Sequence, residues 1–145
     1  MTDNLPKGQS YLCGQANEPL LYETIGGCLD RIAATYPDQL ALVVRHQHIR
    51  WGYAEYQRHV DALAMGLLAI GIGLGDRLGI WSPNRVEWCL TQFATAKIGA
   101  IMVCINPAYR PYELEYALNK VECKAVIAAE SFKTSAYLEM LQALA

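Results

Sequence analysis

The sequence lacks the features that mark most nucleic-acid-binding, disulfide-rich and membrane-spanning proteins. Its 12 lysines and arginines form no basic run and the formal charge is -2, so contact with nucleic-acid phosphates has no electrostatic support. Its five cysteines are odd in number and widely spaced, unlike a disulfide framework or a zinc site, which indicates a reducing compartment. No uncharged run approaches the ~20 residues of a membrane span, and residues 1–7 do not resemble a signal peptide. We therefore expect a cytoplasmic protein with no nucleic-acid partner and no transmembrane segment.

The chain also lacks a recognisable phosphate-binding or metal-binding motif. No Gly-x-x-x-x-Gly-Lys-Ser/Thr sequence occurs, which excludes a Walker loop. The glycine cluster at 71–75 follows a helical pattern and precedes a strand, the reverse of a dinucleotide fingerprint, so we interpret it as a helix stop and a turn. His46 and His48 have no third ligand nearby in the sequence, so we expect solvated side chains rather than a metal site.

What the chain does contain is enough apolar sequence for a folded domain. Hydrophobic residues make up 53% of its 145 residues and charged residues 18%. We expect an irregular leader at residues 1–21, where glycine and proline recur without apolar periodicity. Apolar spacing then predicts a helix that begins after Thr24, a hairpin with strands at 40–44 and 49–51, and a long helix that ends at Gly71.

The central block repeats a strand, a turn and an amphipathic helix. Short runs at 78–81, 101–105 and 125–128 are almost free of charge, which predicts strands buried on both faces, with Cys104 as a small core residue. The connections have the length of crossover helices, so we expect an α/β fold, a three-layer parallel sheet flanked by helices with a short hairpin before it. We expect a last amphipathic helix across 132–144, whose apolar face has no later partner within the chain.

Two loops just beyond the predicted strands are the best candidates for function. They are Ser82-Pro83-Asn84 and Asn106-Pro107-Ala108-Tyr109-Arg110. In open α/β sheets ligands bind beyond the carboxyl ends of the strands, although Ser-Pro and Asn-Pro are also ordinary turn sequences. Trp51, Trp81 and Trp88 leave a similar choice, between a stacking surface for a ligand and ordinary core packing.

Several segments of the chain, taken in order, resemble the N-terminal region of adenylate-forming enzymes, and most closely fatty acyl-CoA synthetases. The matching segments are Gly75-Asp76-Arg77-Leu78-Gly79-Ile80-Trp81-Ser82-Pro83-Asn84-Arg85-Val86-Glu87-Trp88, Ala96-Lys97-Ile98-Gly99-Ala100 and Ile105-Asn106-Pro107-Ala108-Tyr109-Arg110-Pro111-Tyr112-Glu113-Leu114. The resemblance covers about residue 22 to 130. One departure is Gly52, where the family usually has Thr or Ser three positions before a glutamate, here Glu55.

The resemblance implies a ligase that uses ATP, Mg²⁺ and coenzyme A. Such enzymes convert a carboxylic acid to an acyl-adenylate and then to an acyl-CoA thioester, here expected from a medium- or long-chain fatty acid. The family's phosphate loop, acidic metal ligand and catalytic lysine all lie downstream of the matched region, so no catalytic or metal-binding residue is assigned. Residues 22–145 are then an N-terminal α/β subdomain that is incomplete at its C-terminus, expected to be inactive alone and to bind none of these molecules tightly.

The only site residues that the resemblance carries over are in one loop. In related CoA ligases the loop after the second strand of this sheet approaches the coenzyme, which corresponds here to Asn106, Pro107, Ala108 and Tyr109. The small-molecule partner is a carboxylic acid, and a homodimer is left open. Two alternatives also stay open: a self-contained, non-catalytic binding module of doubly wound type, and another adenylating enzyme such as an aryl-acid ligase or a peptide-synthetase adenylation domain.

Overall fold

The computed structural model describes residues 20–144, so most of the leader predicted at 1–21 lies outside the described residues. The helices are α1 (Ile25–Thr35), α2 (Tyr53–Ala69), α3 (Val86–Ile98), α4 (Pro111–Lys120) and α5 (Tyr137–Gln142), with a short 3-10 helix at Arg45–Gln47. The strands are β1 (Leu40–Val44), β2 (Ile49–Gly52), β3 (Arg77–Trp81), β4 (Ile101–Cys104), β5 (Ala125–Ala128), β6 (Ser131–Phe132) and β7 (Ser135–Ala136).

The central sheet is parallel and has β3 in the middle. Its strand order is β4-β3-β5, and Ile80 of β3 lies opposite Cys104 on one side and Ile127 on the other. Both connections, from β3 to β4 and from β4 to β5, pass through a helix, as parallel neighbours require. The predicted hairpin is also present, because β1 and β2 pair in antiparallel fashion with Val44 opposite Ile49.

Two apolar clusters cover the two faces of this sheet and confirm the three-layer arrangement. One cluster packs α1, α2 and α3 against the sheet, with Leu29, Val60, Leu78 and Ala94 among its buried members. The other packs α4 and α5 against the opposite face, around Trp81, Ile105, Leu114 and Tyr137. Adjacent residues of β5 go to different clusters, since side chains of a strand alternate between its faces.

The prediction that all three central strands are buried is wrong for β4, and the residues of β5 are only half-buried. In β3 the four residues from Leu78 to Trp81 are buried, whereas in β4 Ile101 is 51% exposed and Cys104 is exposed as well. In this sheet β4 has a neighbour on one side only, so low charge in a strand did not distinguish an edge from a centre. Cys104 is therefore not a core residue, and its strand ends there rather than at Ile105.

The single helix predicted across 132–144 is also wrong. Residues 131–136 form the small antiparallel pair β6–β7, in which Phe132 lies opposite Ser135, and only Tyr137–Gln142 is helical. Lys133, at the turn, has a left-handed backbone with φ 52°. The spacing of six residues between Phe132 and Leu138 does not fit a helical period, which is the signal that would have separated the two elements.

Helix α2 begins without a side-chain cap, as the glycine at position 52 requires. The backbone N–H groups of Tyr53 and Ala54 instead donate to the carbonyls of Gln39 and Pro37, each at 3.0 Å. A Cβ atom on Gly52 would lie 2.9 Å from the Pro37 oxygen. The preceding turn therefore satisfies the first two N–H groups of the helix, including that of Ala54, which a Ser or Thr hydroxyl can cap, and it approaches too closely for a side chain.

One lysine links the three helices of the first layer. The Lys97 side chain on α3 is 14% exposed and donates to carboxylates on both other helices, Asp30 of α1 and Asp61 of α2. Burial acts to lower the pKa of Lys97, but the two carboxylates outweigh it and raise that pKa. Hydrogen bonding from Lys97 in turn lowers the pKa of Asp30. Lys97 is therefore charged at neutral pH and links the last turn of α3 to the middle of α1 and of α2.

We predict that Lys97→Met destabilises the protein by about 1 kcal/mol, because a charge pair with two half-exposed aspartates contributes modestly. The free energy of unfolding in urea measures this, and the loss should shrink in about 1 M NaCl, where charges are screened. The exposed Lys120 on α4 provides the matched control, and Lys120→Met should change stability by less than about 0.5 kcal/mol. Equal effects of the two substitutions would contradict the role given to Lys97.

Candidate functional site

The carboxyl ends of the three parallel strands bring three loops to one edge of the sheet. The loop at 82–84 follows β3, the loop at 105–110 follows β4, and Ala129 and Glu130 follow β5. Backbone bonds tie these ends together, since Ile105 N donates to Ile80 O at 3.0 Å and Ala129 N donates to Trp81 O at 3.2 Å. The two loops singled out from the sequence are therefore neighbours, and the third is one that the sequence reasoning missed.

The loop at 106–109 has an ordered backbone and an exposed surface. The side-chain oxygen of Asn106 accepts a hydrogen bond from Ala108 N at 2.9 Å, and Tyr109 N donates to Asn106 O at 3.1 Å. This is the local turn that asparagine favours. Asn106 and Ala108 are exposed, whereas Pro107 and Tyr109 are half-buried. Within residues 20–144 nothing accepts a hydrogen bond from the Asn106 amide nitrogen, which leaves it available to a ligand.

Two buried aromatic side chains lie beneath that loop. The Trp81 indole N–H donates to Asn106 O at 3.0 Å, and the Tyr137 hydroxyl donates to Pro107 O. The two rings stack on each other with centroids 3.6 Å apart and planes 13° from parallel. Burial raises the pKa of Tyr137, so its hydroxyl stays protonated and remains a donor at neutral pH. Tyr137 was not identified from the sequence as part of this edge.

The loop after β3 is more internal than the loop after β4. The Ser82 side chain is buried and its hydroxyl donates to Pro83 O at 2.9 Å, while Ser82 O accepts from the Trp88 indole N–H at 2.8 Å. Asn84 is exposed. The geometry of this loop matches an ordinary turn into the next helix more closely than a ligand site.

A pocket of about 170 Å³ lies between the ends of β3 and β5. Its charged lining comes from Arg85, Glu87 and Glu130. Arg85 donates to Glu87 at 3.2 Å, and the amide nitrogen of Gln47 donates to the same carboxylate at 3.1 Å. Burial acts to raise the pKa of Glu87, but these hydrogen bonds outweigh it and lower that pKa. The carboxylate is therefore ionised and already satisfied by protein donors.

Gln47 connects the early hairpin to this edge. Its side-chain oxygen accepts from Val86 N, the first residue of α3, at 2.7 Å, and its amide nitrogen reaches Glu87. Arg85, the residue before the helix, provides no side-chain cap. A side chain 39 positions away in sequence thus accepts the hydrogen bond from the helix N-terminus that a local N-cap residue usually accepts. No local sequence signal identifies such a contact.

The other candidates from the sequence do not gather into a site. The backbone N–H groups of the three glycines at 71, 73 and 75 donate to Leu68 O, the Asp76 carboxylate and Gly99 O, respectively. The glycine cluster therefore ends α2, and these three N–H groups are not available to bind a phosphate. Trp51 stacks on His59, 4.1 Å between centroids, and Trp88 bonds Ser82 O, so the tryptophans form no common surface. Among residues 20–144, no three metal-binding side chains cluster, and no helix is long and apolar enough to cross a membrane.

Comparison with known proteins matches most of the chain to one family. The family model described as AMP-binding enzyme matches residues 29–145. The chain is 50% identical over 135 residues to the medium-chain acyl-CoA ligase ACSF2, mitochondrial, of Bos taurus, which covers 93% of this chain and 22% of that protein. For the Mus musculus protein of the same name the identity is 46% over 142 residues, covering 97% and 23%.

Solved structures agree with this match. The N-terminal domain of FACL13 from Mycobacterium tuberculosis is 30% identical with a TM-score of 0.76, and the match covers 83% of this chain and 30% of that one. A fatty acyl CoA synthetase structure from the same organism is 26% identical with a TM-score of 0.66, covering 82% and 28%. The chain therefore spans less than a quarter of the length of the two mammalian ligases.

We predict that Gln47→Ala lowers the free energy of unfolding by about 1–2 kcal/mol, because it leaves Val86 N without an acceptor and the Glu87 carboxylate with one donor fewer. Urea denaturation measures the change. The exposed Gln92 on α3 is the matched control, and Gln92→Ala should cost less than about 0.5 kcal/mol. Unchanged stability of Gln47→Ala would show that this contact does not cap the helix.

The same substitution has a predicted pH dependence. Because the folded-state pKa of Glu87 is lowered, the stability it contributes is present above its ordinary pKa of 4.5 and is lost as the pH falls through the folded-state value. The stability gap between the wild type and Gln47→Ala should therefore narrow below pH 4.5 without closing, since the Val86 cap does not titrate.

Proposed function

We propose, from the premise that this chain belongs to the AMP-binding enzyme family, that it is the N-terminal part of an ATP-dependent ligase that makes acyl-CoA thioesters. The observation that carries the proposal is identity of 46–50% to two proteins named medium-chain acyl-CoA ligase, along 93–97% of this chain. Because the chain spans 22–23% of those proteins, the activity belongs to a longer protein. Residues 22–145 would form its N-terminal subdomain, and alone they would be inactive.

The proposed reaction has two steps. A carboxylate oxygen attacks the α-phosphorus of ATP, which forms an acyl-adenylate and releases pyrophosphate. The thiol of coenzyme A then loses its proton and attacks the acyl carbonyl, and AMP leaves. Mg²⁺ bound with ATP would neutralise phosphate charge, but we assign no residue of 20–144 to ATP or to the metal. This part of the chain contributes a scaffold and one loop that faces the coenzyme.

We propose a medium-chain fatty acid as the substrate, because both mammalian relatives carry that description in their names. For the cellular location, the sequence and the names of the relatives differ. The sequence predicts a cytoplasmic protein, whereas the names of the same two relatives include the word mitochondrial. Cytoplasmic location and a homodimer therefore stay predictions.

The activity prediction compares the chain alone with a chimera in which it replaces the matching segment of the Bos taurus ligase. We expect no sustained pyrophosphate release from ATP and octanoate by the 145-residue chain, and turnover by the chimera. The reason is that the scaffold is shared, whereas the residues that act on ATP lie in the remainder of the longer protein.

The control for this experiment is the Bos taurus protein with the matching segment deleted. Sustained turnover by the 145-residue chain alone would overturn the proposal that it is one part of the enzyme. A chimera that folds but neither releases pyrophosphate nor forms thioester would instead support a self-contained binding module.

The residues proposed to face coenzyme A are Asn106, Pro107, Ala108 and Tyr109. Their support in the structure is that the loop lies at the carboxyl edge of a parallel sheet, where ligands of open α/β folds bind. Its exposed face offers the amide nitrogen of Asn106, a neutral donor suited to a phosphate or carbonyl oxygen. The residues present therefore fit a polar ligand.

We predict that Asn106→Asp in the chimera raises the KM for coenzyme A about tenfold, equivalent to ~1.4 kcal/mol. The aspartate keeps the oxygen that accepts from Ala108 N, so the turn is preserved, but it replaces the outward donor with a charge that repels the coenzyme phosphates. ATP–pyrophosphate exchange, which reports the first step only, should be unchanged.

Asn119 on α4 is the matched control, because it is exposed and lies on a helix rather than in the strand-end loop. Asn119→Asp should leave both steps unchanged. If Asn106→Asp and Asn119→Asp have the same KM for coenzyme A, the loop does not face the coenzyme.

A further inference from the structure

We propose that Trp81 and Tyr137 act as a clamp that holds the 106–109 loop in one conformation and thereby sets its affinity for the coenzyme. Here the term aromatic clamp means the stacked side chains of these two residues. They touch no substrate in this inference, so they are positioning residues. The inference rests on the proposed function of the loop.

The aromatic clamp bonds two consecutive carbonyls of the loop. Trp81 donates to Asn106 O at 3.0 Å and Tyr137 donates to Pro107 O. Both side chains have 0% exposure, and their rings stack at 3.6 Å. A stacked pair cannot shift one donor without moving the other, so the two bonds fix the loop at adjacent peptide units.

The loop needs such support because the sheet ends just before it. The last backbone bond from this segment to β3 is Ile105 N to Ile80 O, and helix α4 begins only at Pro111. Between them, the loop makes local turns and bonds to the aromatic clamp. Ordering a loop before a ligand arrives reduces the entropy lost on binding, which raises affinity.

The position of Tyr137 is set by the end of β5. Tyr137 N donates to Glu130 O at 3.0 Å, across the β6–β7 pair. The segment that follows β5 therefore turns back and places a hydroxyl under the loop that follows β4. A purely apolar contact would fill the same space with phenylalanine, and the hydroxyl is the part of the residue that this inference explains.

The test is Tyr137→Phe in the chimera, which keeps the stacked ring and removes the donor. We expect the KM for coenzyme A to rise about threefold to tenfold, as loss of one hydrogen bond predicts, with kcat and ATP–pyrophosphate exchange unchanged. The matched control is Tyr56→Phe. Tyr56 is also buried, and its hydroxyl donates to Cys89 O at 2.8 Å, but in the other apolar layer.

A merely structural role would give Tyr137→Phe and Tyr56→Phe the same loss of stability in urea and no change in the KM for coenzyme A. That result would overturn the proposal. An increase in this KM for Tyr137→Phe alone supports it.

Amide hydrogen exchange in the 145-residue chain separates this inference from the proposed function. Tyr137→Phe should speed exchange at Ala108 and Tyr109 about tenfold, and Tyr56→Phe should not, because only the first bond holds the loop. Unchanged exchange at both positions overturns the aromatic clamp whatever the chimera does. Faster exchange together with a chimera that makes no thioester supports the clamp as a loop anchor and counts against the ligase.

Discussion

The structure depends on the burial of β3 between two parallel neighbours. Its four residues from Leu78 to Trp81 have almost no contact with water, and helices cover the sheet on both faces. Burying a strand that completely requires every backbone polar group to be paired, which β4 and β5 provide. Parallel pairing has a second effect: it places three strand ends at one edge. The proposed site is a consequence of how the core is paired.

That edge combines a rigid base with an exposed loop. Trp81 belongs to the buried strand, yet its indole N–H reaches a carbonyl of the loop after β4. Gln47, from the distant hairpin, fixes the first turn of α3 at the same edge, and Lys97 ties the three helices behind it. Trp81 and Tyr137 therefore both complete the core and orient the loop, which leaves the outward groups of 106–109 for a ligand.

Sequence reasoning found the features that are periodic or local. The three central strands, the crossover helices and the glycine stop after α2 were predicted because apolar spacing and glycine chemistry act over a few residues. The resemblance to adenylate-forming enzymes is confirmed by the family match. Two predictions failed: the burial of β4, since strand order is a long-range property, and the single helix across 132–144, where β6 and β7 pair before a short helix.

Two residues at the proposed site were missed for the same reason, because their contacts are long-range in sequence. Gln47 and Tyr137 contact partners that lie 39 and 30 positions away in the sequence, and neither belongs to a motif.

The most direct test of the proposed coenzyme site is a crystal structure of the chimera with coenzyme A bound. We expect the coenzyme to contact the exposed face of residues 106–109, with the hydrogen bonds from Trp81 to Asn106 O and from Tyr137 to Pro107 O intact. Coenzyme bound elsewhere, with that face covered by other residues of the chimera, would contradict it.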